Sequence, residues 1–162
     1  RISKLKENSA RLNFSAIIKN YNALNFPEDK RFDIIILDAP CSSIGTIRSN
    51  PEIFFKNKGP DFKSLHLLQE KMLKKSAQLL KTNGVIIYMV CSFFFSETIK
   101  PINEFLNKNK NFSILKYNNN YFKKDLNVKS FFTNEGYFLT LPTIYKEYKI
   151  DGFFSIQLIK ND

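Results

Sequence analysis

One histidine, His66, and two cysteines, Cys41 and Cys91, are all that 162 residues offer of the two side chains most often used to hold transition metals. The cysteines stand fifty positions apart, with neither metal-ligand spacing nor the Cys-x-x-Cys of a dithiol redox centre. No metal site is expected, and a thiol redox protein fits poorly. His66 falls within a helical pattern and reads as a surface or satisfied residue, not as a base. No apolar run approaches the ~20 residues of a membrane span, and no signal-peptide pattern opens the chain. There is also no internal repeat and no low-complexity linker. These absences lead to the expectation of a cytoplasmic protein with reduced thiols and no membrane association.

What is present is apolar mass and positive charge. Seventeen Phe, with Ile, Leu and Val, give a chain of this length enough material for one domain, or a large part of one. Lys and Arg total 25 against 15 Asp and Glu, a formal charge of +10. Part of that excess is ordinary lysine solvation; the remainder favours a polyanionic partner, nucleic acid before anionic membrane.

The periodicity predicts a helix over 1–13 and a short strand at 14–18. A near-continuous apolar run at 32–37 reads as a strand covered on both faces, ended by Pro40. Residues 42–63, broken by Gly45, Pro51, Gly59 and Pro60 and made basic by Arg48, Lys56, Lys58 and Lys63, read as a functional loop. A helix is expected over 65–80, stopped by Asn83-Gly84, then a buried strand at 85–90 and a helix at about 97–107 with Pro101 in its first turn. Strands are expected at 112–117, 136–141 and 153–159, and an exposed loop at 118–134. This order gives an α/β fold with a mostly parallel sheet and an antiparallel edge.

Each cysteine follows directly on one of the two apolar strands. Ile34–Leu37 leads into Asp38-Ala39-Pro40-Cys41-Ser42, and Val85–Val90 leads into Cys91-Ser92. In an open α/β sheet, ligands gather beyond the carboxyl ends of the strands. If the two strands are neighbours, both thiols and the Asp38 carboxylate face one crevice, an arrangement suited to covalent chemistry.

Asp38-Ala39-Pro40-Cys41-Ser42, with Phe32-Asp33 before it and Gly45, Arg48 and Pro51-Glu52-Ile53 after it, resembles motif IV of the Sun/RsmB family of RNA cytosine-5 methyltransferases. Cys91-Ser92 with Glu97 resembles the family's motif VI. Leu141-Pro142 and Asp151-Gly152-Phe153-Phe154 resemble its closing hairpin. The resemblance implies a Rossmann-like methyltransferase fold with S-adenosylmethionine as cofactor and RNA, ribosomal RNA first, as partner. By the same carry-over, Cys91 is the nucleophile that adds to carbon 6 of cytosine. Cys41 is the second thiol that helps release the product, and Asp38 contacts the cofactor. The target base has to leave its stack to be reached. Arg48, Lys56 and Lys58 suit phosphate contacts. Phe93-Phe94-Phe95 is expected to pack in the core under the following helix.

Several positions depart from the family pattern. Val90 stands where Thr is usual, Ser43 where Gly or Ala is usual, and Thr98 where Asn commonly follows the glutamate. Asn20-Tyr21-Asn22 stands where motif III has an aspartate. Nothing resembles the glycine-rich motif I or the motif II acid. Residues 1–162 are therefore expected to be the C-terminal part of the catalytic domain and inactive alone. The alternative is a non-catalytic RNA-binding remnant that uses only the basic surface.

Overall fold

The computed structural model describes residues 2–55, 59–117, 128–145 and 147–162. Helix α1 (Ile2–Arg11) leads through an irregular stretch to β1 (Phe32–Asp38). Then follow α2 (Phe62–Leu79), β2 (Leu80–Val90), α3 (Ile99–Lys108), β3 (Phe112–Ile114), β4 (Tyr137–Thr140), a small hairpin of β5 (Thr143–Tyr145) and β6 (Tyr148–Ile150), and β7 (Phe153–Lys160). The larger sheet runs β1-β2-β7-β3, with β4 also paired to β7. The α/β class expected from the sequence is the observed one. Strands β1 and β2 are parallel, Ile34 opposite Val85 through Asp38 opposite Met89. Strand β7 lies antiparallel to β2, and β3 and β4 share its other side and build the antiparallel edge.

The core forms where alternate residues of β2 and β7 meet the helices. Ile86, Tyr88 and Val90 of β2 and Phe154, Ile156 and Leu158 of β7 are buried, as are Leu73 of α2 and Ile102 and Phe105 of α3. Helix α2 begins at a capped end, where the Asp61 carboxylate accepts from Ser64 N–H at 3.1 Å and Ser64 Oγ–H at 2.6 Å. At its other end, Lys160 of β7 donates to the carbonyls of Ala77 (3.3 Å) and Leu80 (3.1 Å), which the helix leaves without partners of its own.

Four expectations need correction. Residues 14–18 form no strand, and Ile17 is 89% exposed, because among the described residues no strand lies beside them to complete a ladder. Helix α2 ends at Leu79, not at Asn83-Gly84, because buried Leu80 already pairs with Phe32. Asn83, at φ 60°, and Gly84 instead form the irregularity that shifts the β1–β2 register. Strand β1 is not covered on both faces: Ile34 and Ile36 are 61% and 65% exposed, while Leu37 points into the core beside α2. Of the phenylalanine run, only Phe93 is half-buried; Phe94 and Phe95 are exposed, Phe94 meeting Phe62 and Phe93 edge-on. The chain turns at this point, where the Phe94 carbonyl accepts from both Glu97 N–H and Thr98 N–H.

Candidate active site

The parallel pairing of β1 and β2 carries both strands to the same edge, and their first residues beyond it converge. Ala39 N–H still donates to Met89 O at 3.0 Å, extending the ladder one step past Asp38. Pro40, which cannot continue it, turns the chain, and its carbonyl accepts from the buried Gln69 Nε2 at 2.9 Å. Cys41 then lies against the end of β2. Its Sγ is 3.3 Å from Cys91 Sγ, and both residues are half-buried.

One carboxylate ties the two turns together. Glu97 is fully buried and accepts from Ser42 N–H at 2.6 Å, Ser42 Oγ–H at 2.5 Å and Ser92 Oγ–H at 2.6 Å. Each of these serines directly follows a cysteine. Each also accepts, on its Oγ, the N–H two residues on: Ile44 for Ser42 and Phe94 for Ser92, both at 3.3 Å. Tyr88, buried in β2, donates its hydroxyl to the Glu97 carbonyl at 2.8 Å and anchors that residue from below. The pair of Cys-Ser turns is thus held by a shared acceptor on the segment entering α3.

Gly45 adds a second tie. Its N–H donates to Cys91 O at 3.0 Å, and its carbonyl accepts from Gly152 N–H at 2.7 Å. A Cβ at position 45 would lie 2.0 Å from the Gly152 carbonyl oxygen, so only glycine permits this approach.

The site acts on the ionisation of Cys41. Burial, and then the hydrogen shared with Cys91, push the Cys41 thiol up to about 12, so Cys41 keeps its proton at neutral pH. Across the 3.3 Å contact either thiol can be the donor. An open cavity of about 380 Å³ flanks Cys41 and Ser42 and is walled by Ile53, Pro60, Leu65 and Leu68.

The remaining sequence-predicted residues fare differently. Asp38 sits at the carboxyl end of β1, exposed and without a hydrogen-bond or ion-pair partner among the described residues. A bare carboxylate there is able to accept from an amine or hydroxyl of a cofactor. Arg48 is already engaged, its Nη2 3.0 Å from Asp151 Oδ1 and its Nε donating to Ile150 O at 3.3 Å, so only its remaining donors can face a phosphate. Lys56 and Lys58 lie outside the described residues. His66 bridges helices, its Nε2 2.8 Å from Glu104 Oε2 of α3. Among the described residues no cluster of three or more metal-ligating side chains occurs, and no helix is long and apolar enough to cross a membrane.

The family model described as 16S rRNA methyltransferase RsmB/F matches residues 1–159. The chain belongs to this family. Its relatives include the ribosomal RNA small subunit methyltransferase B of Photorhabdus laumondii, 36% identical over 111 residues, which make up 67% of this chain and 26% of that protein. The counterpart in Serratia proteamaculans is 34% identical over 111 residues, with the same coverage of each chain. The chain thus matches about a quarter of the length of these RsmB relatives. Among solved structures, the crystal structure of PH0851 superposes with a TM-score of 0.80 at 29% identity, covering 99% of this chain and 34% of the other. NSun6 from Pyrococcus horikoshii, solved with SFG, gives 0.77 at 19% identity, covering 100% and 39%, and supports the fold. The solved neighbours bear out the Rossmann-like methyltransferase fold for this RsmB/F chain.

Glu97, Ser42 and Gly45 were legible as parts of motifs but not as a clamp. The available signal was a lone acid at the start of an apolar helix, five residues after Ser92 and within reach of Ser42 only once the strands pair.

Proposed function

We propose that residues 1–162 are the C-terminal part of the catalytic domain of an S-adenosylmethionine-dependent RNA cytosine-5 methyltransferase acting on small-subunit ribosomal RNA. The observation that carries this reading is the contact of the two thiols, 3.3 Å apart, at the ends of adjacent parallel strands. Among the described residues β1 is an edge strand paired only with β2, which leaves its outer edge open to a further strand and supports a sheet that continues beyond this segment.

In this reading Cys91 Sγ bonds to carbon 6 of cytosine, and the displaced electron pair makes carbon 5 a nucleophile. S-adenosylmethionine, when bound, supplies the methyl group that carbon 5 takes. Once Cys91 is bound to carbon 6 and no longer shares its hydrogen, Cys41 gives up its proton to solvent and then removes the carbon-5 proton. The electron pair of that C–H bond restores the double bond as Cys91 leaves as thiolate. One proton per turnover passes to solvent, and Cys41 ends protonated, as its high proton affinity favours. We assign to Asp38 the role of holding the cofactor, a reading supported by SFG, an analogue of S-adenosylmethionine, in the NSun6 neighbour. The basic segment of Arg48, Lys56 and Lys58 contributes phosphate contacts. Both thiols must stay reduced, which fits a cytoplasmic setting.

The test is methyl transfer to unmodified small-subunit ribosomal RNA by the protein expressed from its complete reading frame. Cys91→Ala abolishes transfer in this reading, and transfer that survives the change overturns it.

A further inference from the structure

We infer that the Ser43 hydroxyl is a catalytic group that hydrogen-bonds the Cys91 sulfur and holds it as the thiolate. The inference rests on Cys91 being the nucleophile and adds a residue to that chemistry.

Ser43 has φ 61° and ψ 15°, the left-handed region that a residue bearing a Cβ adopts only at a cost. Its backbone does work that glycine would do without strain: the Ser43 carbonyl accepts from Thr46 N–H and Thr46 Oγ1–H, both at 2.9 Å, and closes the turn after Cys41. The side chain is what the strain retains. Its Oγ accepts from the Cys91 S–H at 3.4 Å, across 48 residues of sequence, and once that proton has left, the same contact can run the other way.

The surroundings explain why a neutral donor is needed. Among the described residues, the titratable groups facing Cys91 are Cys41, at 3.3 Å, and Glu97, which reaches it through Ser92 and Ser42; Tyr88 stands behind, hydrogen-bonded to the Glu97 carbonyl. None is cationic, and the Glu97 carboxyl is already taken up by its three donors from Ser42 and Ser92. Among the described residues no lysine, arginine or histidine hydrogen-bonds the Cys91 sulfur. A thiolate there depends on dipolar donors, and the 41–43 turn supplies two, the Cys41 S–H and the Ser43 O–H. The Cys91 proton leaves to solvent, and the Ser43 hydroxyl, free to rotate, turns its hydrogen toward the sulfur.

The experiment measures iodoacetamide alkylation of Cys91 against pH, read by peptide mass spectrometry on the protein from its complete reading frame, for wild type, Ser43→Gly and Ser43→Ala. Ser43→Gly relieves the backbone, so Tm holds or rises, while the midpoint of the alkylation profile moves up by about one pH unit, leaving roughly tenfold less thiolate at neutral pH. Ser43→Ala keeps the Cβ and shows the same shift. In methyl transfer both variants lose about tenfold in kcat, with KM for RNA unchanged. A folded Ser43→Gly or Ser43→Ala protein whose alkylation profile matches wild type overturns the inference. Methyl transfer by Cys91→Ala is a separate readout that overturns the function, and the alkylation profile does not depend on it.

Discussion

The Cys41 and Cys91 sulfurs stand 3.3 Å apart, although each belongs to a different strand end. A disulfide needs them at about 2.05 Å, a closure of little more than an ångström. Diamide, a two-electron oxidant of dithiols, is expected to link them within one molecule, taking up the two thiol hydrogens as it is reduced. The check is intact mass, which falls by two hydrogens without dimer formation, and methyl transfer, which is lost and then restored by dithiothreitol. Cys41→Ser removes the effect. Chain-to-chain dimers as the main product would contradict the contact.

Removing the clamp should be costly. Glu97→Ala leaves the Ser42 hydroxyl, the Ser42 N–H and the Ser92 hydroxyl without their acceptor, at about 1 kcal/mol or more each. The expected loss is roughly 3 kcal/mol, measured by urea unfolding. Glu97→Gln keeps the shape and one oxygen acceptor and should lose less than half as much. Equal losses would show that the carboxylate does not act as a shared acceptor.

Gly45→Ala drives a methyl group into the Gly152 carbonyl. Backbone cannot rotate away as a side chain does, so the turn after Cys41 must separate from Cys91 O or from Gly152 N–H. We expect a loss of at least about 3 kcal/mol, seen as a fall of roughly 6–12 °C in Tm for a domain of this size.

The pH dependence of stability follows from Cys41. Its folded pKa, about 12, lies above the ordinary value of 9.0, so the folded state keeps a proton that the unfolded chain gives up. The associated stability is complete below about pH 9 and is lost as pH rises from there toward 12. Chemical denaturation at pH 8 and pH 10.5 should show the decline, and Cys41→Ala should make it shallower. An equal slope in the variant would place the alkaline loss on other groups, such as buried Tyr88, whose hydroxyl is also raised by burial.

Much of the fold is legible in local pattern. Leu37 and the alternation of Ile86, Tyr88 and Val90 mark strands because side chains on one face must leave water together. Proline and glycine mark where the strands must end. What pattern misled on are the choices that need a neighbour: residues 14–18 have strand composition but no ladder, and among the described residues the face bearing Ile34 and Ile36 is left exposed. Phe94 is apolar but exposed, because hydrogen bonds to its carbonyl turn the chain there.

The residue types themselves determined that two thiols and a carboxylate would follow apolar strands, because local hydrophobicity and the turn chemistry of Pro40 and Gly45 act over a few positions. Tertiary structure alone decided that β1 and β2 are adjacent, that Glu97 joins Ser42 to Ser92, and that Ser43 reaches Cys91. Those contacts span five to 55 residues, and all but one need the parallel pairing, which sequence spacing does not encode.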